Sequence, residues 1–151
     1  MNGLPKTAQA RDAAEDRSYE SIQVGDEVTW TRVIDEEAVA AFAALTGDYN
    51  PLHMDAAYAT TTEFGARIVH GMLVAAFFST LVGMYLPGRR ALFLAQQVQF
   101  AKPVSIGARI TFRGRVRRKT DGLRMLDVDT SAINEAGEEV VRGRAQVKVR
   151  P

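Results

Sequence analysis

The sequence contains no cysteine, only two histidines and a single tryptophan, and its charges nearly cancel. The missing cysteine excludes disulfides, thiolate metal ligands and a cysteine nucleophile. With 19 basic and 18 acidic residues the formal net charge is +1, which gives no general argument for nucleic acid or a membrane surface as a partner. We therefore expect neither partner, and the two histidines become the first residues of chemical interest.

The chain also lacks a hydrophobic run long enough to span a bilayer. Its longest apolar stretch covers residues 71–86, which is shorter than the about 20 residues that a transmembrane helix needs. The N-terminus is charged and has no apolar segment of the kind found in signal peptides. We predict a flexible N-terminal arm over residues 1–18, a single domain over residues 19–151 and a cytoplasmic location.

Helical patterns dominate the first half of the chain. Asp35 precedes the stretch EEAVAAFAAL, whose apolar residues recur on one face, and Gly47 is a typical stop at its end. A second helix is predicted from about residue 71 to residue 85. Because this second helix is apolar on nearly every side, we expect it to be buried on most sides.

The second half of the chain alternates between apolar and polar residues. The stretches RITFRGRVR, LDVDTSA and VRGRAQVKV follow this period of two, which is typical of antiparallel strands that are half open to water. LFLAQQVQF predicts another strand, and DEVTWTRVI predicts one near the start. The predicted fold class is α+β: a hot-dog fold, in which an antiparallel sheet wraps around a long buried central helix.

The segment LTGDYNPLH places a carboxylate and an imidazole close together after the first helix. Gly47 permits unusual backbone dihedrals and Pro51 stiffens the segment, so Asp48 and His53 could turn toward one point. A carboxylate and an imidazole that share one water form a general acid/base pair. The spacing leaves a second interpretation open, in which Asp48 caps a turn and His53 is half-buried in a hydrogen bond.

A second candidate site lies where the apolar helix begins, in the segment IVHGM. The first N–H groups of a helix are unpaired, and a glycine there lets a carbonyl oxygen approach closely, so Gly71 could form an oxyanion site. Alternatively, Gly71 only lets the chain turn. Asp48, His53, Asp55 and His70 offer metal-ligand atoms, but their spacing matches no familiar signature, and we predict no metal.

The arginines of RGRVRRK also allow two interpretations. They form a solvated strand face, or they bind the phosphates of coenzyme A or an acidic carrier protein.

Together these motifs resemble a known family. Residues 42–77, FAALTGDYNPLHMDAAYATTTEFGARIVHGMLVAAF, are similar to the MaoC-like hydratase/dehydratase family, and especially to its (R)-specific enoyl-CoA hydratases. TGDYNPLH matches the family's small-Gly-Asp-x-Asn-Pro-aliphatic-His motif, and IVHGM matches its entry to the central helix. The resemblance implies a hydro-lyase that reversibly hydrates trans-2-enoyl-CoA to (R)-3-hydroxyacyl-CoA and needs no cofactor.

The resemblance also implies roles for individual residues. Asp48 and His53 would be the catalytic pair that holds the reacting water, and the Gly71 N–H would bond the thioester carbonyl. Asn50 would help to fix the loop. Two positions on the central helix match positions that line the acyl pocket in relatives: Ser79 and Val82.

Several alternatives and partners accompany this interpretation. A 3-hydroxyacyl-acyl-carrier-protein dehydratase of fatty-acid or polyketide synthesis would use the same residues, so the substrate is an acyl-CoA or an acyl carrier protein thioester. A hot-dog thioesterase and a non-catalytic partner subunit are the further rivals.

Because a small sheet with an open edge invites pairing with another copy, we predict a homodimer.

Overall fold

The computed structural model describes residues 13–151, in which five antiparallel strands form one sheet. The strands are β1 (Glu27–Val33), β2 (Ala91–Phe100), β3 (Arg109–Thr120), β4 (Met125–Ile133) and β5 (Glu139–Val149). Their order in the sheet is β1-β3-β4-β5-β2, so β1 and β2 are the two edges. The predicted strands are all present, and the α+β hot-dog fold is confirmed.

The helices precede most of the sheet, as predicted. They are α1 (Glu36–Thr46), α2 (Pro51–Met54), α3 (Ala56–Ala59) and α4 (Gly71–Thr80), and α4 continues as a π-helical turn over Leu81–Tyr85. Asp35 caps α1, since its Oδ1 accepts a hydrogen bond from the N–H of Ala38 at 2.9 Å. Gly47 ends α1 in the left-handed region, with a φ of 79°. No helix within residues 13–151 is long and apolar enough to cross a bilayer.

Two clusters of buried apolar side chains fill the space between the central helix and the sheet. The first surrounds the start of α4 and includes Leu73, Val74, Phe78, Ile110 and Phe112. The second surrounds the π-helical turn and includes Tyr19, Val82, Leu86, Val116 and Val147. Because α4 is held along its length by these clusters, its first residues have a fixed position at one end of the core.

The predicted N-terminal arm is only partly described. Residues 1–12 lie outside the described residues, whereas residues 13–18 contact the domain. Asp16 forms an ion pair with Arg90, and the hydrogen bond from that guanidinium lowers the pKa of the Asp16 carboxyl. The flexibility of the arm and its boundary at residue 18 stay predictions.

Tyr19 anchors the segment that follows the arm. Its side chain is buried, and its hydroxyl donates a hydrogen bond to Asp121 Oδ1 at 2.8 Å. Burial, reinforced by this hydrogen bond, raises the pKa of Tyr19 from 10.0 to about 12. The neutral phenol is therefore favoured in the folded state. Its contribution to stability is complete below pH 10 and is lost as the pH rises toward 12.

We expect Tyr19→Phe to reduce the pH dependence of stability in alkaline solution. The free energy of unfolding of the wild type should fall between about pH 9.5 and pH 11.5, and the fall should be smaller in the variant, which has no phenol to ionise at this position. Urea denaturation at the two pH values measures the difference. Tyr58→Phe, at an exposed tyrosine, is the matched control. Equal falls in Tyr19→Phe and the wild type would contradict the expectation.

Candidate active site

The loop that carries Asp48 is fixed by hydrogen bonds between side chains and backbone. The hydroxyl of Thr46 donates to the carbonyl of Phe42 at 2.7 Å and accepts from the N–H of Asp48 at 3.2 Å. Oδ1 of Asp48 accepts from the N–H of Asn50 at 3.2 Å. The Asp48 side chain remains 48% exposed, so its carboxylate can still meet water or substrate.

His53 lies on the one-turn helix α2, which is separate from α1. Asn50 caps this helix, since its Oδ1 accepts from the N–H of Leu52 at 3.0 Å, and Pro51 occupies the first helical position. A proline is tolerated there because the first N–H groups of a helix have no intrahelical partner. Asn50 therefore holds the start of α2, and its role in supporting a catalytic loop stays a prediction.

The His53 ring is oriented by the backbone of the segment before α4. Its Nδ1 lies 2.8 Å from the carbonyl oxygen of Ile68. Because a carbonyl oxygen only accepts, Nδ1 carries the proton and Nε2 keeps a lone pair. Asp48 does close a turn and His53 is half-buried in a hydrogen bond, as the second interpretation proposed. Each of these contacts uses only one polar atom of the side chain, so neither prevents a catalytic role.

His70 is the third polar side chain at this point, and the sequence assigned it no role except as a possible metal ligand. It is 2% exposed, and its Nε2 lies 3.0 Å from the carbonyl oxygen of Asp48. Its ring centre lies 4.1 Å from that of His53. His70 and Asp48 are 22 positions apart in the sequence, which explains why no local pattern could predict this contact.

Gly71 follows directly as the first residue of α4. Its N–H has no carbonyl four residues earlier within the helix, and it lies at the positive end of the helix dipole. A Cβ on Gly71 would lie 2.9 Å from Cδ1 of Phe100, closer than Cβ contacts allow. Any other residue at this position would therefore crowd Phe100.

These residues open onto one cavity of about 440 Å³. Asp48, His53 and Gly71 are among the residues that line it. The remaining lining is mainly apolar and includes Phe64, Met72, Val74, Phe100, Pro103 and Val141. A cavity with apolar walls and a few convergent polar groups is typical of a small-molecule site.

A second apolar cavity of about 420 Å³ shares Met72 with the first. Ser79 and Ala76 line this second cavity. Val82 is instead fully buried in the second core cluster and is not among the residues that line either cavity. The acyl-pocket role of Ser79 and Val82 stays a prediction, and the geometry supports it for Ser79 alone.

The outward-facing arginines are largely occupied by neighbouring acids. A groove of about 760 Å³ crosses this outer face of the sheet. Arg144 and Arg117 lie 3.4 Å and 3.6 Å from Asp129, and Arg113 lies 3.9 Å from Glu139. The groove is larger than the apolar cavity, but neither Asp48 nor His53 lines it. The contacts favour the interpretation of a solvated strand face.

The candidate metal cluster contains fewer residues than the sequence suggested. Asp55 caps α3 by accepting from the N–H of Tyr58 at 3.0 Å, whereas Asp48, His53 and His70 place potential ligand atoms within 4.8 Å of one another. Nε2 of His70 donates to a carbonyl oxygen and so has no lone pair to offer. A metal ion bound through this nitrogen would have to break that hydrogen bond, whereas Nδ1 of the same ring is buried and has no hydrogen-bond partner among the described residues.

The fold and the site together define a hot-dog protein in which a carboxylate, Asp48, and an imidazole, His53, lie close together beside the N-terminus of the central helix. Residues 17–137 match the model of the MaoC-like domain family. The chain belongs to this family, which confirms the resemblance seen in the sequence.

Individual relatives agree with this assignment. The chain is 39% identical over 132 residues to the (R)-specific enoyl-CoA hydratase of Aeromonas caviae. The matched region covers 87% of this chain and 98% of that protein. It is 37% identical over 113 residues to a mitochondrial 3-hydroxyacyl-[acyl-carrier-protein] dehydratase of Arabidopsis thaliana. This match covers 71% of this chain and 67% of that protein. The unliganded R-hydratase PhaJ1 from Pseudomonas aeruginosa superposes with a TM-score of 0.87 at 36% identity, over 91% of this chain and 88% of that chain.

Proposed function

We propose that the protein is an (R)-specific enoyl-CoA hydratase, which reversibly adds water to trans-2-enoyl-CoA and gives (R)-3-hydroxyacyl-CoA. The observation that carries the proposal is the convergence of Asp48, His53 and Gly71 on one apolar cavity. The hydratase relative of Aeromonas caviae, matched over nearly its whole length, supports it. Hydration of crotonyl-CoA with analysis of the product configuration is the direct test.

The geometry of the pair suits the capture of one water molecule. A carboxylate oxygen of Asp48 and a ring nitrogen of His53 lie within 4.8 Å of each other. A water that makes hydrogen bonds of about 2.8 Å to both groups can bridge this distance. Nε2 of His53 has the lone pair to accept from that water, because Nδ1–H is already bonded to Ile68.

The proposed reaction then balances without a further reactant. The water oxygen forms a bond to C3 of the enoyl group while one water O–H bond breaks, and Asp48 and His53 withdraw that proton and return a proton to C2. The electrons of the double bond move transiently to the thioester oxygen, where the Gly71 N–H stabilises the charge. The thioester itself accepts this charge, so the reaction requires no metal or redox cofactor. Water and proton reach the same face of the double bond.

The runner-up function is dehydration of a 3-hydroxyacyl thioester carried by an acyl carrier protein. The plant relative with that name favours it, and the chemistry at Asp48 and His53 is the same. Turnover of crotonyl-CoA and of the crotonyl carrier-protein thioester distinguishes the two, and we expect the higher kcat/KM for the CoA form. Release of free thiol would instead indicate a thioesterase. The cytoplasmic location expected from the sequence is part of this proposal.

A homodimer is also part of the proposal. One of the two edges of the sheet is β2, which is ten residues long and has β5 as its single neighbour among the described strands. Three large apolar side chains on it are exposed: Leu92, Leu94 and Phe100. An unpaired apolar edge of this length invites pairing with a second copy, which would join two sheets into one. Met72, which lines both apolar cavities, is also exposed, so we place the acyl site near this interface.

We expect Leu94→Lys to break the dimer. Light scattering of the wild type should give twice the chain mass of 16.6 kDa, and the variant should shift toward a single chain because a charge on the edge opposes pairing. Leu123→Lys is the matched control, since Leu123 is also exposed but lies in the turn after β3. A fully active wild-type monomer at micromolar concentration would contradict the proposal.

We expect Ser79→Leu to shorten the acyl chains that the protein accepts. A larger side chain would fill the second apolar cavity, so kcat/KM should fall by at least about tenfold more for trans-2-octenoyl-CoA than for crotonyl-CoA. Steady-state kinetics on both substrates measure the ratio. An equal loss on the two substrates would place the acyl pocket elsewhere. Val82→Phe is a poorer probe, because it would overpack the buried second cluster.

A further inference from the structure

We propose that His70 is a positioning residue that holds both members of the catalytic pair in place. The inference rests on the proposed function, because it assigns His70 a part in the same hydration reaction. Its basis is the buried contact of one imidazole with the backbone of Asp48 and with the ring of His53.

The first contact fixes the position of Asp48. Nε2–H of His70 donates to the Asp48 carbonyl oxygen at 3.0 Å and lies 4.0 Å from its carboxylate Oδ2. This hydrogen bond connects the loop after α1 to the residue that precedes α4. Because the Asp48 carboxylate is half exposed, its direction depends on how firmly the backbone beneath it is held. The bond supplies that restraint from the buried side.

The second contact restrains His53. The His70 ring contacts two other rings, with its centre 4.1 Å from that of His53 and 4.8 Å from that of Phe42. The His53 ring is thus supported on one side by His70 and bonded through Nδ1 to Ile68. Its Nε2 is thereby directed by two independent contacts. A reacting group held in this way loses less freedom when the substrate binds.

The hydrogen-bond pattern distinguishes this role from acid/base catalysis. Nδ1 of His70 is buried and has no hydrogen-bond partner among the described residues. Because Nε2 already carries a proton, a second proton on Nδ1 would be a buried donor without an acceptor. The ring is therefore placed to act through Asp48 and His53, as an Nε2–H donor to the first and a ring contact to the second. Gly71, the proposed oxyanion donor, is the next residue, so His70 also lies directly beside that donor.

Three variants of the full-length protein separate the hydrogen bond from the ring contact. His70→Phe keeps an aromatic ring but has no N–H to donate. His70→Gln places an amide N–H near the position of Nε2, whereas His70→Asn places it near Nδ1 and is the matched control. With crotonyl-CoA we expect kcat to fall about 10–100-fold in the Phe and Asn variants, with KM little changed, because supporting groups of this kind commonly contribute that much. The Gln variant should recover most of the loss.

A coupling experiment tests whether His70 acts through Asp48. In an Asp48→Asn background, His70→Phe should cost far less than it does alone, because the group it positions is already disabled. Thermal unfolding of every variant shows whether the comparison is made on folded protein. If His70→Phe does not fold, the Gln and Asn pair carries the test.

The outcomes separate this inference from the proposed function. A wild type that does not hydrate crotonyl-CoA overturns the proposed function and the role of His70 with it. An active wild type with an equally active, folded His70→Phe overturns only the role of His70. Equal losses in the Gln and Asn variants overturn the hydrogen-bond assignment.

Discussion

Asp48→Asn and His53→Ala are each expected to lower kcat for hydration of crotonyl-CoA by about 10²–10⁴-fold, the usual contribution of general acid/base groups. The loss should appear in kcat with KM little changed, because the pair acts on the reacting water and leaves the coenzyme A portion of the substrate untouched. Both side chains line the apolar cavity without being part of the buried core, so the variants should fold. Stopped-flow or steady-state assays at the enoyl absorbance provide the rates.

The double variant provides the sharper comparison. Because both groups serve one water, removal of both should cost far less than the product of the single losses. Asp55→Asn is a matched control: this nearby carboxylate caps α3, asparagine is an equally good cap, and activity should stay near the wild-type value. Multiplicative losses, or an Asp48→Asn variant at the wild-type rate, would contradict the assignment of a shared water.

Gly71→Ala is expected to lower kcat/KM by up to about 10²–10³-fold, the usual effect of losing one oxyanion donor, because the N–H is kept but would be displaced from the thioester carbonyl. The added Cβ would lie 2.9 Å from Cδ1 and 3.0 Å from Cε1 of Phe100. Either the ring or the first turn of α4 must move, and both movements change what the thioester carbonyl meets at the Gly71 N–H. Kinetics on crotonyl-CoA measure the loss.

Two further variants locate the cause of that loss. Gly83→Ala lies on the continuation of the same helix, where a Cβ would meet nothing within 4 Å, and it should leave activity nearly unchanged. Phe100→Ala combined with Gly71→Ala should recover part of the loss if crowding of the ring is the cause. Wild-type activity in folded Gly71→Ala would contradict the expectation that a Cβ at this position disturbs the thioester site through Phe100.

The elements that local patterns specify were predictable from the sequence. Asp35 and Gly47 mark the ends of α1 because capping depends only on neighbouring residues. The strands follow from alternation of apolar and polar residues, and the central helix follows from its continuous apolar character. Asp48, His53 and Gly71 were identified as candidates because two short motifs place them at a loop and at a helix start.

The remaining features depend on contacts between distant parts of the chain. Tyr19 meets Asp121 across 102 residues, and His70 meets Asp48 across 22, so neither contact leaves a local pattern. Helix position alone could not show that Ser79 faces a cavity while Val82 enters the core, because that depends on how the sheet and the N-terminal segment pack around the helix.

The most direct test of the account is the configuration of the product that the wild-type protein forms from crotonyl-CoA and water. In the account, Asp48 and His53 hold the water on one face of the enoyl group, so the water oxygen adds to C3 from that face alone and the product has a single configuration. Chromatography on a chiral column should show (R)-3-hydroxybutyryl-CoA. The rate of its formation should be strongly reduced in Asp48→Asn. Formation of the (S) product, or absence of hydration by folded wild-type protein, would contradict the account.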